Sequence, residues 1–153
     1  MTTGEGQTLL GAAVAAVRDC AAQVERCADG LLQALPEVPM EEALRATAIE
    51  LSAGLKDTSG RVTFELALLQ AELDEARTDS MTAVRSLCRM DATMMDALAA
   101  VADVVEKLEG AAERDERNER AFVLVIEAAG VMLQGLEKAR AATQALSRHC
   151  GEG

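Results

Sequence analysis

From Leu10 onward the apolar side chains recur at intervals of four and three: Leu10, Val14, Val17, Ala21, Val24, Ala28, Leu31 and Leu35. This 3.5-residue repeat belongs to a helix that buries one seam against a neighbouring helix. The pattern resumes at Leu44, Ala48, Leu51 and Leu55. It returns once more at Val62, Leu66, Leu69, Leu73, Ala76, Ser80, Ala83, Leu87, Met90, Met94, Ala97, Val101, Val104 and Leu108. Composition points the same way. The chain holds 30 Ala and 19 Leu, both strong helix formers, while Phe64 and Phe122 are its only aromatic residues. Little bulky material is left for a sheet sandwich. The expected fold is all-α: an elongated antiparallel bundle of four helices with heptad, coiled-coil-like packing.

The breaks in the pattern set the helix count. Pro36 ends the first helix, because proline lacks a backbone donor and pushes the residue before it out of the α region. Pro36-Glu37-Val38-Pro39 is then a tight connector, with Pro39 suited to a first helical position and Glu41 and Glu42 complementing the helix dipole. Lys56-Asp57-Thr58-Ser59-Gly60 reads as a loop or a weak spot, since Gly54 and Gly60 each cost about 1 kcal/mol against Ala in a helix. Two arrangements compete for the following stretch. Residues 61–109 could form one helix, roughly 70 Å long, in an extended coiled coil. Alternatively Thr78-Asp79-Ser80 is a connection with Asp79 or Ser80 as N-cap. The second is preferred, because it divides the chain into helices of similar length, as an up-down-up-down bundle requires. The expected organisation is a single helical domain over 1–153, with helices at 8–35, 39–77, 80–109 and 112–148 and flexible termini at 1–7 and 149–153. Gly110 is the expected hinge, and Glu113/Arg117 and Glu116/Arg120 follow it at favourable i,i+4 spacing. In the last helix one stripe carries Phe122, Ile126, Ala129, Leu133 and Leu136, with Val125, Met132, Ala139 and Leu146 beside it. Faces this broad imply two helical neighbours. Gly130 and Gly135 would permit close helix approach.

Charge narrows the range of functions. Fifteen Lys and Arg against 26 Asp and Glu leave a net charge of −11. That argues against nucleic acid, which demands clustered bases and usually stacking aromatics, and against an anionic membrane surface. No run is long enough for a transmembrane segment, and the acidic start Met1-Thr2-Thr3-Gly4-Glu5 is unlike a secretory leader. The expected setting is cytoplasmic or otherwise intracellular and soluble. Cys20, Cys27, Cys88 and Cys150 show no paired spacing and read as small apolar residues beside a core. His149, the only histidine, lies too near the end to serve as an ordered base, and no Glu-x-x-His pair signals a di-metal bundle. Gly4-Glu5-Gly6 is not a phosphate loop. Neither a metal nor a cofactor is expected, and no enzymatic activity.

The residues expected to carry packing or a partner interface are Val17, Val24, Leu31, Leu69, Leu73, Leu87, Asp91, Met94, Leu98, Val101, Leu108, Ile126 and Leu133. Asp91 falls on the Met90/Met94/Met95 segment as a boundary acid reaching solvent, or else as a charged or register-fixing contact. The methionines could form an adaptable groove. The sequence therefore reads as a structural or adaptor bundle acting through protein partners, by self-association or in a hetero-oligomer. The alternatives are a four-helix bundle holding a small apolar ligand and an amphipathic coat for lipid or granule surfaces, the latter disfavoured by the acidic exterior.

Overall fold

A computed structural model describes residues 3–152. Four long helices account for most of them: α1 (Thr3–Ala34), α2 (Glu42–Asp74), α3 (Ser80–Arg114) and α4 (Glu119–Glu152), with one 3₁₀ turn at Glu116–Asn118. Sequential helices pack side by side and α4 closes back on α1, giving an up-down-up-down four-helix bundle. α1 and α3 also meet across the short diagonal. α2 and α4 stand at opposite corners without close approach among the described residues. No described helix is long and apolar enough to cross a membrane.

The heptad seam of α1 forms as read. Val14, Val17, Ala21, Val24, Ala28, Leu31 and Leu35 are all buried, and Leu10 is half-buried. Pro36 ends the helix, but α2 starts three residues beyond Pro39, with Glu41 as N-cap in an extended conformation. The intervening Val38 and Met40 are buried and plug that end of the core. Arg45 holds the connector: its Nη1 donates to the carbonyls of Leu35 (2.6 Å) and Val38 (2.9 Å). A fixed cation thus meets the carbonyl of Leu35, just past the end of α1, and that of Val38 in the connector.

Residues 56–60, expected as a loop or weak spot, lie within continuous helix. Thr58 and Ser59 belong to the buried face, and a buried hydroxyl in a helix can use its own backbone as a partner. Ser59 Oγ donates to the Lys56 carbonyl (2.9 Å), and Ser52 Oγ to that of Ala48 (2.8 Å).

The chain does break at residues 75–79, so the single rod over 61–109 does not form. α2 ends in a Schellman motif: Arg77 N–H donates to the Glu72 carbonyl (2.8 Å) and Ala76 N–H to that of Leu73 (3.1 Å). Ala76 occupies the left-handed position (φ 56°) that glycine usually fills. Asp79 caps α3, its side chain accepting from Thr82 N–H at 2.8 Å.

Gly110 is not the next hinge. α3 runs through it to Arg114, and the turn comes at Asp115, whose carboxylate accepts from Arg117 N–H (3.0 Å). Helix also continues into both expected flexible ends, from Thr3 and as far as Glu152. The two pack together: the His149 ring lies against the α1 backbone at Gly6, where an added Cβ would sit 3.4 Å from Nε2. Residues 1, 2 and 153 lie outside the described residues.

Candidate interaction surfaces

The last helix carries two apolar rows. The buried one is Ala121, Val125, Met132, Leu136, Ala139, Thr143 and Leu146. Of the expected stripe, Leu136 belongs to this buried row, as do Val125, Met132, Ala139 and Leu146 expected beside it; Phe122 and Ala129 are half-buried, while Ile126 and Leu133 are 42% and 50% exposed. Those two residues are therefore not part of the chain's own packing. Large apolar side chains occur on both sides, Val125, Met132, Leu136 and Leu146 inward and Val123, Ile126 and Leu133 outward, so hydrophobicity alone does not separate them; the inward row also holds Ala121, Ala139 and Thr143. Close packing makes those small residues suitable. At Gly135 the α4 backbone approaches α1 so nearly that an added Cβ would lie 3.6 Å from Cys20 Cα. Gly130 has open space where its Cβ would be.

Glu119, Val123, Ile126, Gly130, Leu133 and Glu137 follow each other at intervals of four and three. Each position lies about 200° round the helix from a buried or half-buried position two residues further on, such as Val125 for Val123. The row therefore faces away from the bundle. Eight large hydrophobic residues are exposed among the described residues, and Val123, Ile126, Val131 and Leu133 are four of them. Phe64 and Leu68 on α2 form a second patch, beside an open groove that also touches Leu32, Lys56 and Arg61. Lys56 is paired there with Asp29 (2.8 Å).

Most of the other expected packing residues lie inside the bundle. Val17, Val24, Leu31, Leu69, Leu87, Met94, Val101 and Leu108 are buried, and Leu73 and Leu98 half-buried. Asp91 is not a boundary acid. It is only 7% exposed, on the inner face of α3 between Leu87 and Met94, and its Oδ1 has no hydrogen-bond partner. Burial raises its pKa, opposed by the Thr143 hydroxyl and the Arg140 charge on α4. The Thr143 hydroxyl is itself committed to the Ala139 carbonyl (2.9 Å), so it donates little to the carboxylate. Burial and the nearby Asp91 push the Cys20 thiol up to about 11, which keeps it protonated and unreactive at neutral pH. All four cysteines are free, and Cys88 is exposed rather than beside the core.

Asn118 was not among the expected residues. It is 2% exposed and bonds to two other elements: its Oδ1 accepts from Glu41 N–H (2.8 Å) and its Nδ2 donates to the Ala111 carbonyl (3.3 Å). Its one signal in the sequence is that it is the only uncharged side chain in an otherwise charged run, Glu113–Arg120. No cluster of three or more His, Cys, Asp or Glu suited to a metal occurs among the described residues. No protein-family model, no curated protein and no solved structure matches the chain.

Proposed function

We propose that this bundle is a non-enzymatic interaction module, a structural or adaptor protein that docks through the outward face of α4. The observation that carries this reading is the heptad-spaced row Val123, Ile126, Gly130 and Leu133, exposed opposite the face that α4 buries. Water-facing apolar side chains at seam spacing provide what a partner helix needs for interlocking packing. The rest of the fold serves as a rigid support, because α4 is held by α1 and α3 along its other side.

Comparison of two tagged forms in cells tests this reading. The native chain and the Ile126→Asp/Leu133→Asp double variant are purified in parallel, and the co-purifying proteins are quantified. Both should show the same helical circular dichroism, since the altered side chains touch the solvent. The expected result is a defined set of proteins, or the chain itself, recovered with the native form and lost with the variant. Identical recovery from both would overturn the assignment of the α4 face.

A further inference from the structure

We propose that Asp91 and Thr143 form a proton-operated latch between α3 and α4: the neutral acid donates to Thr143 Oγ1, and ionisation releases the two helices from each other. Hydrogen-bond direction carries the inference. A threonine hydroxyl has one hydrogen to give and two lone pairs with which to accept. Thr143 gives its hydrogen to the Ala139 carbonyl on its own helix (2.9 Å), so lone pairs are what it turns toward Asp91. Both side chains are buried, and Asp91 Oδ1 has no partner. An ionised carboxylate there would set acceptor against acceptor, away from water and with an oxygen unsatisfied. A neutral acid instead completes a chain from Asp91 through Thr143 to the Ala139 carbonyl, which ties α3 to α4.

The groups around the pair agree with this direction. Cys20, facing Asp91 from α1, is a protonated thiol at neutral pH and brings no charge. Cys88, one turn earlier on α3, is likewise raised and uncharged. α2 faces another side of α3, across the groove that Thr82, Ser86 and Arg89 line with Glu65 and Glu72. The cation that faces Asp91 is Arg140, which stands in solvent on α4. An ionised Asp91 thus finds its counter-charge outward, and leaving the core gains it both water and a partner. Burial lifts the Asp91 carboxyl above its ordinary range, as a donor role requires, so the latch is closed in acid and opens as pH rises through that raised value.

Carbon-detected NMR of the side-chain carboxyls tests the latch, with Asp91→Asn identifying the Asp91 resonance by its loss. The native Asp91 should titrate above the ordinary carboxylate range. Thr143→Val removes the acceptor while keeping the shape, and should lower that midpoint by about one pH unit, because the neutral form loses its bond. Thr143→Ser should restore it. Hydrogen exchange, expressed as protection at each pH, reads the release of the helices. Between the ordinary carboxylate range and the Asp91 midpoint, protection around residues 87–94 and 139–146 should fall in the native chain by up to about tenfold per pH unit relative to Asp91→Asn. An Asp91 midpoint in the ordinary range, or one that rises or holds still in Thr143→Val, overturns the donor assignment, since removing a hydroxyl that gave its hydrogen to a carboxylate would raise the midpoint. Protection that falls equally in the native chain and in Asp91→Asn overturns the release.

Discussion

Where α1 passes to α2 and α3 to α4, side chains tie one connection to another: Asn118 takes the N–H of Glu41, and Arg45 grips the carbonyls of Leu35 and Val38. At residues 75–79 every backbone bond is local, and an alanine sits in a glycine's conformation. The half of the bundle nearer that second turn also encloses Asp91, a carboxyl with an unpartnered oxygen. One end is thus cross-linked by satisfied polar groups, while the other tolerates strain and a buried acid. Stability that is unevenly distributed in this way predicts that the first end opens last.

The largest effect is expected from Asn118→Ala. It leaves the Glu41 N–H and the Ala111 carbonyl without partners and should cost about 3 kcal/mol in denaturant unfolding. Hydrogen exchange should then show the two ends opening alike. Asp91→Asn comes next, with the opposite sign. Because burial raises the Asp91 pKa, the favourable contribution of its neutral form is present below the ordinary carboxylate range and lost as pH rises through the raised value. The asparagine variant should therefore be about 2 kcal/mol more stable than the native chain at neutral pH, the difference fading in acid. Thermal melts at several pH values check this, and equal stability of the two at neutral pH would show that Asp91 is paired after all. Asp79→Ala should cost about 1 kcal/mol by removing the cap on α3. Ala76→Gly should stabilise by somewhat less than about 1 kcal/mol, since glycine adopts the left-handed conformation without steric cost but loses more entropy on folding.

How far the sequence discloses this structure varies from helix to helix. The α1 seam is readable in full, because its apolar row is continuous and proline marks its end. The break at 75–79 is visible through Asp79, although the heptad phase runs on unchanged across it. Residues 56–60 mislead because Thr58 and Ser59 are polar in type yet pair with their own helix, which leaves them free to face the core. α4 is ambiguous for a deeper reason. It has two apolar faces, and periodicity alone does not tell which one meets its own chain; the close approach at Gly135 belongs to the side where Ala121, Ala139 and Thr143 are buried. The candidate docking surface therefore shares Ile126 and Leu133 with the stripe that the sequence pattern selects. Asn118 escapes notice because its role lies in two connections far apart in sequence.

The most extensive helix pair in the bundle, α1 with α4, joins the two helices farthest apart along the chain. Folding therefore carries a kinetic consequence. The core is not completed by adding neighbours in order, because α1 and α3 both wait for α4, which is synthesised after them. Such long-range closure slows folding relative to bundles dominated by local contacts, and it makes a chain truncated before residue 119 an incompletely packed, aggregation-prone species.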